Sequence, residues 1–458
     1  MKTFRLRLGV LLAPLLLTAC ANTRPWVNPV ADTRTLQAIA ETRSQPQRGS
    51  VVVAATFSGG GARAAAFGLG VLRELRDTPI DANKGDGQGD HPATLLEALG
   101  LVSGVSGGSI LAAYYAAFGE QTFTRFESDF LQAGFQDGLI NQALMPTTLW
   151  RLGSPWYGRG NVLSDQLDEL FQGKRFDDVM RRPGAPLLLV SATDLSTGAP
   201  FEFTPEQMAL LCSDLAQVPL SFAVAASAAV PVLLSPLTLH NHAGHCGGDA
   251  TVPQAGPSDG VDNFRTRMLR VSAESYRDAR VRPYIHLVDG GVSDNLGVRP
   301  LLDRVLVDGS LEHAFRDSPR GSIRRVVLLV VNAERGIGER IDQSARVPGA
   351  LQVMDTLVFG AGARETQVTL ALLRDDLQRW SQELAALRGR EGTPFAPDAE
   401  IHVIGVNLGD TGDPTLAQIP TAFSIAPGDS RRLHAAGRQA LRQSPQFQSL
   451  LRGLPPSN

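Results

Sequence analysis

Three short stretches of this 458-residue chain put reactive residue types where the backbone must turn sharply. In "ALGLVSGVSGGSILAAYYAAF" (98–118), Ser106 stands between Gly104 and the pair Gly107–Gly108, after an apolar run and before small residues that read as a helix. Gly104-Val105-Ser106-Gly107-Gly108 fits the G-x-S-x-G elbow, in which a strand breaks abruptly into a helix and lifts a serine oxygen clear of the sheet. Such a serine is a nucleophile toward an acyl carbon; the alternative reading is a plain glycine-rich loop. In "FSGGGAR" (57–63), glycines between a strand and a helix can aim bare N–H groups at a negative oxygen. Gly59, Gly60, Gly61 and Arg63 are the candidate oxyanion-hole residues. Gly60 and Gly61 are the leading donors, and Arg63 either adds positive charge or braces the loop.

A base must take the serine proton. Of the late histidines, His402 alternates within a strand pattern, His434 falls in a helical one, and His313 has no loop context to recommend it. "HLVDGGVSDNLGV" (286–298) instead puts Asp289 at the end of an apolar strand, ahead of Gly290–Gly291, where a side chain projects into a site at strand ends. An ordinary Asp-Gly turn is the competing interpretation. Gly59-x-Gly61-x-x-Ala64 also loosely fits a dinucleotide-binding turn, but the acidic residue near the right spacing, Asp81, lies in "RDTPIDANKGDGQGD", which is no strand. His240, His242, His245 and Cys246 crowd seven residues, yet zinc sites usually assemble from separated segments, so a polar loop near the site mouth is preferred over a metal site.

The elements that would position these residues are legible as apolar runs. "VVVAATF" (51–57), "PLLLVSATDL" (186–195), "RRVVLLVVNAE" (324–334) and "EIHVIGVNL" (400–408) are strands apolar on both faces, and "TLLEALGLVSGV" (94–105) gives a helix end and a short strand. Alternating with helical stretches such as "AAAFGLGVLREL" and "ETQVTLALLRDDLQRWSQELAALRG", they predict an α/β fold: a mostly parallel central sheet flanked by helices on both faces. Residues 240–283, rich in Gly, Pro, Asp and His, read as a long surface insertion, and no composition shift divides the chain after residue 50.

The net charge of −3 offers no basic field for nucleic acid. The start, "MKTFRLRLGVLLAPLLLTAC", has a basic beginning, an apolar run too short to span a bilayer, and small residues before a break, the pattern of a secretory signal. "LTAC" resembles the bacterial lipoprotein lipobox. That resemblance implies a signal peptide over 1–19, acylation of Cys20, a tether over 20–48, and, with Ala21 following, an outer-membrane lipoprotein facing the periplasm. In that oxidising compartment Cys212 and Cys246 are more often bridged than free, the other reading being two unrelated buried thiols.

Taken together, the loop Gly59–Arg63, the elbow Gly104–Gly108 and the turn Asp289–Gly291 resemble, in order, the pattern of the patatin-like phospholipase family. The resemblance runs on through "VSATDLSTGAPFEF" (190–203) and "AVAASAAVPVLLSPL" (223–237), covering roughly residues 50 to 310. It implies a catalytic domain over 49–310 with 311–458 as its continuation. It implies Ser106 as nucleophile, Asp289 as its partner in a dyad without histidine, the glycine loop as oxyanion hole, and no metal or cofactor. The implied substrate is a phospholipid or another acyl-ester lipid, met by a membrane-anchored enzyme. Ala64 departs from the family's usual glycine after the arginine, and Phe67 stands where many members have histidine; neither removes a reacting group. An acyltransferase or thioesterase would use the same dyad. A non-catalytic envelope lipid-binding protein would have no need of all three pieces.

Overall fold

Val51–Phe57 alternates between two apolar environments: Val53, Ala55 and Phe57 pack with Phe67, Leu69 and Leu433 on one side, and Val52 packs with Leu328, Leu373 and Trp380 on the other. A strand buried on both faces is the mark of a sheet covered on both sides. The computed structural model describes residues 24–32, 49–80, 94–246, 264–334, 345–349, 353 and 361–454. The leader, Cys20, most of the 20–48 stretch and Asp81 lie outside them, as do parts of 240–283.

Among the described residues the sheet has eight strands: β1 (Val51–Phe57), β2 (Leu99–Val105), β3 (Leu187–Asp194), β4 (Pro200–Glu202), β5 (Leu237–His240), β6 (Tyr284–Asp289), β7 (Ile323–Asn332) and β8 (Phe395–Asn407). Their order is β5-β6-β3-β2-β1-β7-β8, with β4 paired to β3. The block β3-β2-β1-β7-β8 is parallel throughout, while β6, β5 and β4 pair antiparallel at one side. The short strands β4 and β5 carry no long apolar run, which is why sequence patterning passes over them. β7 and β8 come from beyond residue 310 and complete the same sheet, β7 directly beside β1.

The helices used below are α1 (Gly61–Arg76), α2 (Gly107–Phe118), α3 (Phe135–Ala143), α4 (Pro146–Leu152), α5 (Arg159–Phe171), α6 (Leu220–Ser227), α7 (Arg299–Asp308), α8 (Ala361–Leu387) and α9 (Pro427–Gln443). Helices α1, α2 and α9 bury their apolar stripes against one face, and α7 and α8 cover the other. Arg438 and Arg442 of α9 close on the buried Glu74 of α1 at 2.8–3.2 Å, so the end of the chain is latched to its first helix. No described helix is long and apolar enough to cross a membrane.

Residues 24–32, expected to belong to a tether, are docked across the β5–β6 edge. Buried Asn28 donates to the Ser213 hydroxyl (2.7 Å) and the His240 carbonyl (2.8 Å), Ala31 N–H donates to the Cys212 carbonyl (2.8 Å), and Trp26 packs on Tyr284. Cys212 and Cys246 form a disulfide beside this segment. The neighbouring histidines serve the same contact: a His242 ring nitrogen lies 3.0 Å from the Asn28 carbonyl, and His240 and His242 meet at 3.0 Å. Among the described residues no cluster of three or more His, Cys, Asp or Glu is arranged to hold a metal ion.

Candidate active site

β2 ends at Val105, opposite Ser191 of β3, and β6 ends at Asp289, opposite Ala192. Ser106 therefore stands level with Asp289 on the other side of β3, with the two backbones about 10 Å apart, two strand spacings. Because β6 runs antiparallel, it enters from beyond the parallel strand ends and stops where β2 stops. Side chains from both flanks then meet over β3.

Ser106 adopts φ 50°, ψ −122°, a region L-residues rarely occupy and one that costs on the order of 1–3 kcal/mol. Three contacts hold it there. Its N–H donates to the Ser227 hydroxyl at 2.8 Å, that hydroxyl donates onward to the Ser191 carbonyl at 2.6 Å, and the Ser106 carbonyl caps the first turn of α2 through Ser109. The turn also needs room. A Cβ on Gly107 would overlap the backbone of Gly61, so the elbow and the glycine loop are packed backbone against backbone. Gly60 and Gly61 have φ 139° and 59°, open to glycine and costly for other residues.

Asp289 is 7% exposed, and burial pushes its carboxyl up to about 6. Hydrogen bonds from the Gly291 N–H (2.8 Å) and from the Ser106 hydroxyl oppose that rise. Its backbone is fixed on both sides: N–H to the Ala229 carbonyl at 2.9 Å, carbonyl to the Thr193 hydroxyl at 2.9 Å. Asp294 is also buried and pushed up to about 6, but its carboxylate accepts from the Arg299 N–H at 2.9 Å and supports the start of α7. What separates the two aspartates is the neighbour each one faces.

The glycine loop corrects part of the sequence reading. The Gly59 N–H, expected among the oxyanion donors, is taken by the Asn295 carbonyl at 3.1 Å. Arg63 is 1% exposed, with its guanidinium donating to the carbonyls of Ala333 (3.1 Å) and Ile419 (2.5 Å); of its two expected roles, the geometry is that of a brace. No carbonyl of the described residues accepts the N–H of Gly60 or of Gly61. A Cβ built on Gly59 would lie 3.5 Å from the Ser106 Cβ, so the loop abuts the serine.

The histidines lie elsewhere. His402 sits mid-strand on β8 beside Glu400, His434 packs in α9 against Glu127 with burial pushing it down to about 4, and His313 is on the short helix Leu311–Ala314. His240, expected near the mouth of the site, pairs with Tyr284, five residues along β6 from Asp289 and about 17 Å away at strand rise. Two residues at the site went unread in the sequence: Ser227, hidden in a run of small residues, and Asn295. The Asn295 side chain lies against Gly59 and Gly291 and hydrogen-bonds Glu334, joining the two turns.

Residues 55–302 match the family described as patatin-like phospholipase, a match that takes in more than half of the chain. No protein of curated function matches it. Among solved structures, human GIVD cytosolic phospholipase A2 is similar at 12% identity and a TM-score of 0.44, covering 92% of this chain and 62% of that one. VipD from Legionella pneumophila is similar at 12% identity and a TM-score of 0.32, covering 94% of this chain and 71% of that one. The chain thus spans less than two thirds of the length of the human enzyme.

Proposed function

The chain belongs to the patatin-like phospholipase family, and we propose that it is a lipid ester hydrolase that cleaves acyl esters of phospholipids or related lipids through a Ser106–Asp289 dyad. The observation that carries this reading is the Asp289 carboxyl, buried, pushed up to about 6 and facing the Ser106 hydroxyl. A fully solvated carboxylate, with a pKa of about 4, is a weak base toward a hydroxyl; desolvation makes it a better one.

Ser106 Oγ attacks the acyl carbon as its proton passes to Asp289. The resulting oxyanion is held by the N–H groups of Gly60 and Gly61. Collapse expels the lipid alcohol, which takes the proton back from Asp289 and leaves an acyl-serine. Water, deprotonated by the same carboxylate, then releases the fatty acid and restores Ser106. Arg63 and Asn295 hold the loop against the elbow and touch no reacting atom.

In this proposal Cys20 bears the acyl anchor that the "LTAC" motif implies, and the enzyme works from the periplasmic side of an outer membrane. The deciding experiment is labelling with an alkyl fluorophosphonate followed by peptide mapping. The adduct is expected on Ser106 and absent from Ser106→Ala; an adduct on another residue, with Ser106 unmodified, overturns the assignment.

A further inference from the structure

The loop that follows α6 leaves the site and comes straight to the surface. Ser227 holds the Ser106 N–H, Ala229 holds the Asp289 N–H, and three residues later Val232 and Leu233 stand 53% and 66% exposed. Val232 has φ 73°, a left-handed conformation that a β-branched residue almost never adopts, so the backbone works against itself to present this tip. The tip is stitched to the start of α5: Arg159 donates to the Val232 carbonyl at 2.7 Å, and Gly160 N–H donates to the Ser235 hydroxyl at 2.9 Å. Just before α5, the helices α3 and α4 and the turn after them expose Leu144 (65%), Trp150 (43%) and Trp156 (37%).

Beyond Asp137 at the start of α3, the rim's own segments carry cations and no acid, though Arg151 pairs with Asp165 of α5. No carboxylate occurs from Gly138 to Ser164, and no charged residue at all from Leu215 to Cys246, in a chain whose net charge is −3. The cations that do occur are arginines laid along the apolar surface: Arg24 over the Trp156 ring at 5.1 Å, Arg159 on the tip, and Arg151 over Tyr157 at 4.1 Å with Asp165 on its far side. Bulky aliphatics, indole rings and guanidinium groups, with Asp165 on Arg151 and Asp137 at the start of α3 as the acids nearby, match the boundary between acyl chains and anionic headgroups.

We propose that the rim formed by α3, α4, the Gly153–Gly158 turn and the Val230–Leu234 loop seats on the surface of a lipid bilayer that carries anionic headgroups. The proposal rests on the lipid-hydrolase reading for its purpose: seated this way, the tip beside Ser227 and Ala229 puts the dyad at the level from which an acyl ester is withdrawn.

The test uses the full-length chain with Cys20→Ser and Ser106→Ala, so that neither an acyl anchor nor turnover intervenes. It is floated with vesicles of phosphatidylcholine alone or mixed with phosphatidylglycerol. Binding is expected to be tighter to the mixed vesicles and weakened by salt. Leu233→Asp and Leu144→Asp are each expected to lower affinity at least about tenfold; should either lower the melting temperature, Trp150→Ser reads the same loss. Binding that survives all three substitutions overturns the proposal. So does sedimentation showing a dimer that the substitutions split, since a second copy would then cover the rim. Wild-type turnover of a soluble short-chain ester is read in parallel. Turnover without vesicle binding sinks the surface alone, and vesicle binding without turnover sinks the hydrolase reading and leaves the surface standing.

Discussion

Two turns meet at the site, and they are built in opposite ways. Ser106 sits in a conformation the backbone resists, fixed by close-packed glycines and by a hydroxyl relay through Ser227. Asp289, at φ −46° and ψ 131°, stays on the negative-φ side that L-residues favour, and what is unusual about it is solvation: the carboxyl is buried and pushed up to about 6. In the proposed dyad, the nucleophile is prepared by backbone strain and the base by loss of water. A nucleophile needs an exact direction of approach, which strain supplies, whereas a base needs proton affinity, which burial supplies.

Three substitutions break that contrast, in falling order of effect. Asp289→Asn removes the base and keeps the shape, so kcat is expected to fall by about 10³–10⁴. In the wild type, kcat/KM should drop tenfold per pH unit below about 6, because protonated Asp289 cannot accept a proton, and should level off above. The Asn variant's residual rate should lack that acid limb, and a limb that persists would assign it to another group. Gly107→Ala forces the elbow away from the Gly61 backbone; a shift of about 1 Å is expected to cost roughly 100-fold in kcat and to lower the melting temperature, read by steady-state kinetics and calorimetry. Ser227→Ala leaves the Ser106 N–H buried without its acceptor, costing about 1–3 kcal/mol of stability and roughly tenfold in rate, with the acid limb unmoved. If Ser227→Ala instead shifted that limb, strain and solvation would prove to be linked.

The strained turn was the legible one. Its glycines are written into the sequence at fixed offsets because a Cβ would collide, and collision rules act over two or three neighbouring residues. The central strands were equally readable, since burial on both faces demands unbroken apolar runs such as Val51–Phe57. What the sequence hid depends on partners far along the chain. Gly59 looks like a free donor until Asn295 arrives to take its N–H, and Ser227 is one small residue among many until it is seen beneath Ser106. The histidines around His240 suggested a site mouth by composition, but their position follows from the antiparallel register of β5 on β6, which no local pattern announces.

The brace on the glycine loop is written late in the chain. Arg63 is gripped by the carbonyls of Ala333 and Ile419, and the Ala62 N–H donates to the Ala422 carbonyl at 2.7 Å. A polypeptide ending before Ala333 would carry both Ser106 and Asp289 and yet lack all three of these carbonyls, so the loop proposed to hold the oxyanion would lose its clamp. On the proposed mechanism, lipid hydrolysis is therefore expected to await β7 and the Ile419–Ala422 stretch, and shorter chains would be spared from attacking lipid.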